Sequence, residues 1–172
     1  MNALIEENIA ALQQAIALLP SLGETQYRQR LPACFNASVG GHIRHNVDHY
    51  LSFLAGFAKA QIDYENRERD ARLESDRDYA IAVLQQITAR LRLLETEDKP
   101  VQVRMENSAE RSAEAWGNST ARRELQFLLS HTIHHYALVA VSCRLLGIEP
   151  SADFGVAPST LRYRKTLNLK VA

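Results

Sequence analysis

TARRELQFLLSHTIHHYALVAVSCRLLG, residues 120–147, is the stretch that decides the fold. Ser119 or Thr120 stands ready to cap the first free backbone N–H groups. No proline interrupts the run, and Gly147 with Pro150 beyond it forms a stop. The stretch therefore predicts the longest helix of the chain, ending near Leu146. Phe127, Leu128, Leu138 and Leu145 are read onto one face with His131 and His135, so this imidazole pair is expected to point inward.

Working outward, three further stretches carry helical periodicity. Ile5, Ile9, Leu12, Ile16 and Leu19 step by four and three residues until Pro20 and Gly23 end the run. The second follows Asn36 and Ser38, both good caps, stacks Ile43, Val47, Tyr50, Leu51, Leu54 and Phe57, and is expected to end near Ala60. A polar link from Asp63 to Asp70 leads to Ser75, whose spacing to Asp78 resembles a capping box. The seam of the third stretch is Ala80, Leu84, Ile87, Leu91 and Leu94, and Pro100 bounds it. Val101 to Met105 alternates weakly, and residues 106–119 read as polar and irregular. Apolar intervals averaging about 3.5 residues pack helices nearly antiparallel. The expected fold is all-α, a four-helix bundle in a single domain over residues 1–172, with residues 151–172 as a tail packed over it.

Composition narrows the function. The chain has 172 residues, 46% hydrophobic and 23% charged, with twenty Lys and Arg against twenty Asp and Glu. A domain of this length buries roughly 70% of its unfolded surface, so its core needs neither disulfide nor structural metal. The neutral balance argues against a general nucleic-acid binder, which relies on clustered cations. Glu6 and Glu7 in the first apolar stretch do not fit a targeting leader, and no apolar run approaches the ~20 residues of a membrane span. A cytoplasmic protein is expected. Cys34 and Cys143 stand alone and read as buried reduced thiols.

All six histidines fall in two groups, His42, His45 and His49 on the second helix and His131, His134 and His135 on the fourth. At about 100° per residue, the first three lie within about 60° of arc. His131 and His135 are about 40° apart, a spacing that chelates one ion, while His134 lies to the other side. A third imidazole from the facing helix completes a site with an open position. Imidazole suits zinc, nickel, copper or ferrous iron, and three neutral ligands leave the ion's charge available to acidify water or polarise a substrate oxygen. The competing reading is a buried polar network or proton-switchable core. Thr132 occupies the place of the general-base glutamate of HExxH metalloproteases, which excludes that family. Glu124, two turns before His131, is a candidate to orient a ligand or act as acid or base.

The segments GGHIRHNVDHY, residues 40–50, and SHTIHHY, residues 130–136, resemble the DinB/YfiT-like superfamily over about residues 1–147. The resemblance implies a four-helix bundle, a divalent ion held by three side chains, and homodimers. Carried across, the ligands are His131, His135 and His45, the last because an acidic residue, Asp48, follows it by three; His49 and His42 remain open alternatives. Zinc or nickel is the expected ion, with iron or manganese as further choices. Some members use low-molecular-weight thiols, so the resemblance implies a hydrolase or a thiol-dependent transferase acting on a small electrophilic substrate. The alternative is a non-catalytic metal-binding sensor or dimeric interaction module. The stretch DFGVAPST, residues 153–160, and Arg162, Tyr163, Arg164 and Lys165 fall outside the usual signature. They are read as a tail anchored by Phe154, with a basic segment able to hold an anion. Arg67 and Arg69 in the polar link share that choice between anion holder and solvated charge.

Overall fold

The computed structural model describes residues 1–95, 97–105 and 116–171. It is mostly helical, with a small three-stranded sheet. In chain order the elements are α1 (Asn2–Leu18), α2 (Glu24–Arg28), α3 (Val39–Phe57), β1 (Gln61–Asp63), α4 (Arg72–Ser75), α5 (Arg77–Arg92), β2 (Pro100–Arg104), β3 (Trp116–Thr120), α6 (Ala121–Leu145) and α7 (Pro158–Val171). Helix α1 packs on α5 and α6, and α3 packs on the same two.

The caps explain the boundaries. Ser38 accepts from the Gly41 amide at the start of α3, and Thr120 accepts from the Arg123 amide at the start of α6. The third long helix corrects the expected start: Ser75 closes the short α4, and Asp76 caps α5 by accepting from the Tyr79 amide. A carboxylate is a strong acceptor for that amide, and it outcompetes the Ser75 hydroxyl, which bonds back to Ala71 and Arg72 carbonyls.

The apolar stripes meet in one contiguous cluster running from Ile5 to Phe154. Each fully buried Leu, Ile or Phe contributes roughly 1.5–3 kcal/mol relative to exposure. This cluster is what holds the helices together. On α6 the buried face is Ala121, Leu125, Leu128, Thr132, Tyr136, Val139 and Cys143. Leu145 is 56% exposed, against the expectation that it shared the inward face, because the buried stripe passes through Val139 and Cys143 instead. His131 and His135 flank that stripe on the side of α3.

A buried polar chain sets the register between the helices. Asn8 on α1 donates to the Leu125 carbonyl at 3.1 Å, the Tyr50 hydroxyl donates to Asn8 Oδ1 at 2.7 Å, and Thr132 donates to the Tyr50 oxygen at 3.3 Å. Tyr50 and Thr132 are the sequence neighbours of His49 and His131. The same contacts that satisfy these polar groups therefore align the two histidine-bearing helices.

The sheet was not expected from the sequence. Strand β2 pairs parallel with β1 and antiparallel with β3. Only Ile62 and Val101 are fully buried in it, so its apolar signal is two residues long. It starts where the chain doubles back after α3. There a side chain at Gly56 would meet the Gln61 carbonyl oxygen and sit 2.7 Å from Ile62 Cα, so only glycine allows the return. Of the segment read as irregular, residues 116–119 are strand and residues 106–115 lie outside the described residues. Within the expected tail, residues 158–171 form α7. Its anchor is as read: Phe154 is buried and stacks on Tyr136 at 4.9 Å between ring centroids.

Candidate metal centre

Helices α3 and α6 bring five of the six imidazoles together. His45, His131 and His135 each offer a ring nitrogen such that the three atoms lie within 4.8 Å of one another. The centroid of His45 is 4.9 Å from that of His131 and 4.6 Å from that of His135. All three rings are half-buried. His134 is exposed, and its ring meets the edge of His135 at 5.4 Å.

Hydrogen bonds separate the five. His49 has both ring nitrogens engaged: Nδ1–H donates to the His45 carbonyl at 2.8 Å, and Nε2 accepts from Arg67 at 3.0 Å. His42 Nδ1 lies 3.0 Å from His135 Nδ1, so these two nitrogens share one proton and His135 keeps Nε2 for another partner. His131 Nε2 is buried with no hydrogen-bond partner, and the His45 ring has none among the described residues. An orphaned buried imidazole nitrogen is costly unless something accepts its lone pair. The donor set of three neutral nitrogens suits a borderline-soft divalent cation.

Electrostatics keep these rings neutral. Burial lowers the pKa of His45 to about 2, with His49, His135, His131 and Arg67 adding to the effect. Burial, then His131, His42 and His134, lowers His135 to about 3. Burial chiefly brings His49 and His131 to about 4, and burial lowers His42 as well. A neutral imidazole is the form that binds metal. Asp48 is buried and pairs with Arg44 at 3.3 Å; burial raises its pKa, with Arg44, Arg67 and Arg69 opposing.

Glu124 is buried at the start of α6, where Ser119 donates to it at 2.5 Å and Arg123 pairs with it at 3.2 Å. It is not one of the three grouped residues. Tyr64 lies between: burial chiefly, and then the Glu124 carboxylate, push its hydroxyl pKa up, its oxygen has no hydrogen-bond partner among the described residues, and its ring stacks on His49 at 5.5 Å. Sequence alone does not mark Tyr64, and it marks Arg67 only as one of two link arginines, because neither position carries a periodic or spacing signal. A cleft of about 530 Å³ has Asp48, Ser52, Lys59 and Trp116 among its walls and no imidazole lining it.

No helix of the described residues is long and apolar enough to cross a membrane. No solved structure matches this chain. Among curated proteins, FK506-binding protein 5 of Rhizopus delemar is 31% identical over 108 residues, 60% of this chain and 28% of that protein. The chain thus spans about 28% of the length of that relative. The family model described as the DinB superfamily matches residues 5–139, which takes in α1, α3, α5 and both groups of histidines. With that match over most of its length, this chain belongs to the DinB superfamily.

Proposed function

We propose that this chain is a divalent-metal-dependent enzyme, built as a single domain on an antiparallel four-helix bundle, in which His45, His131 and His135 hold the ion. The observation that carries the reading is the convergence of three imidazole nitrogens, from two helices, within 4.8 Å of one another. When bound, such an ion supplies Lewis acidity that makes water or a low-molecular-weight thiol a stronger nucleophile toward a small electrophile. Zinc or nickel fits the donor set best, with iron or manganese as further choices. His42 steadies His135, and His49 lines the centre with its nitrogens committed elsewhere. The half-burial of all three ligands favours an accessible centre over a sealed structural one. Glu124, buried at the start of α6, is assigned the role of orienting a ligand or acting as acid or base. A cytoplasmic homodimer without nucleic-acid or membrane partners completes the proposal.

Metal analysis of untagged protein tests it, because a polyhistidine tag would itself bind the ion. The expected result is about one divalent ion per chain, lost in His131→Ala while circular dichroism stays native. Equal metal content in both proteins ends the proposal. Chelation that unfolds the wild type would favour the sensor or interaction module, in which the ion serves the fold. A screen for thiol-dependent transfer and for hydrolysis then separates the two reaction classes.

A further inference from the structure

Resting on the reading of the three histidines as a metal centre, we propose that Arg67 is the anion receptor of that centre and that the natural substrate or cofactor carries a carboxylate. Arg67 donates to His49 Nε2 at 3.0 Å, and the His49 ring lies 4.5 Å from His131 and 4.6 Å from His45. The guanidinium therefore stands one imidazole away from two of the three grouped rings.

The surrounding loop is built to hold it there. Asp63 Oδ1 accepts from the amides of Glu65 and Asn66, fixing the exit from β1. At the other end Asp70 accepts from the Arg72 amide and from the Tyr79 hydroxyl. Between them Tyr64 is fully buried against His49. Clamped on both sides, the loop turns a half-buried arginine toward the imidazoles.

Its present partner is a poor match. Arg44, Arg72, Arg77 and Arg144 each pair with a carboxylate. Among the described residues Arg67 bonds only to a neutral imidazole, which uses one of five N–H donors in a fork shaped for a carboxylate. A carboxylate meets the guanidinium fork with two parallel bonds and an opposite charge, which a single imidazole nitrogen cannot do, so an arriving carboxylate draws the guanidinium from His49. The exchange uncovers the Nε2 lone pair of His49, whose tautomer is already fixed by the Nδ1–H bond to the His45 carbonyl. One event thus seats an anionic ligand one imidazole away from the centre. Arg69, in the same loop, is exposed and serves as the matched control.

Acetate is the probe, with acetamide as its uncharged counterpart and chloride at equal ionic strength as the salt control. The readout is nitrogen-15 NMR of the Arg67 side chain and the His49 ring, in metal-free protein and again with one equivalent of zinc. A saturable shift with acetate alone is expected. It should weaken at least tenfold in Arg67→Gln, weaken less in Arg67→Lys, and be unchanged in Arg69→Gln, with zinc stoichiometry and circular dichroism preserved throughout. Acetate binding to Arg67→Gln as to wild type, or an equal response to chloride, overturns the proposal. If the wild type binds no zinc, the metal reading fails by itself, and the acetate response of the metal-free protein still decides the role of Arg67.

Discussion

Replacing His42 by alanine should weaken metal binding without abolishing it. For His135 to offer its Nε2 lone pair, its proton must sit on Nδ1 and be donated to His42 Nδ1, 3.0 Å away. The alanine variant removes that acceptor, so His135 is free to rotate and to shift its proton onto the nitrogen needed for coordination. Loss of such an outer partner typically costs 10–100-fold in affinity, which is about 1.4–2.7 kcal/mol at 1.36 kcal/mol per decade. His42→Asn should recover part of this loss, because the amide oxygen falls near the place of Nδ1 and accepts the same proton. Competition for zinc against a chromogenic chelator measures all three proteins on one scale, and circular dichroism confirms that each is folded. Unchanged affinity in His42→Ala would refute the reasoning. A loss as deep as that of His135→Ala would also refute it, by making His42 a direct ligand.

Two further outcomes are expected. The folded pKa values of about 2, 3, 4 and 4 for His45, His135, His49 and His131 lie below the ordinary value of 6.5, so the unfolded chain binds more protons. Stability of the metal-free protein is therefore full above about pH 6.5 and falls as pH drops from there toward 4. Each group contributes on the order of 1 kcal/mol per pH unit before solvent screening reduces it. Urea midpoints at pH 7 and pH 5 should differ less in His45→Ala than in the wild type, and an identical difference would contradict this account. Gly56→Ala should destabilise by about 1–3 kcal/mol or more, since the added carbon meets backbone of β1 that cannot move aside. An unchanged urea midpoint for that variant would show that the return after α3 is not tight.

The long helices were legible because each carries a long periodic signal and a clear cap, as with Ser38 and Thr120. The histidine pair on α6 was legible for the same reason, since spacing along one helix fixes angle. Less visible was which imidazole of α3 would join it. His42, His45 and His49 share one arc, and the distinction lies in hydrogen bonds made to His135, to the His45 carbonyl and to a loop arginine. The sheet escaped because three- and five-residue strands with one buried apolar residue each in β1 and β2 leave almost no pattern. Its effect on the site is nonetheless direct: the amide of Tyr64 donates to the Arg104 carbonyl at 2.9 Å, extending the β1–β2 pairing to the residue that stacks on His49.

All the grouped imidazoles ride on two rods, and the Thr132–Tyr50 contact bolts those rods together beside them. One residue of helix advances about 1.5 Å, whereas ligand distances to a metal tolerate about 0.2 Å. The centre consequently behaves as a vernier: a slide far too small to disturb the greasy interior would already misalign its jaws. Substitutions on α1 or α5 that loosen packing without shifting that bolt should leave coordination intact, which frees half of the scaffold to drift in sequence while the chemistry stays put.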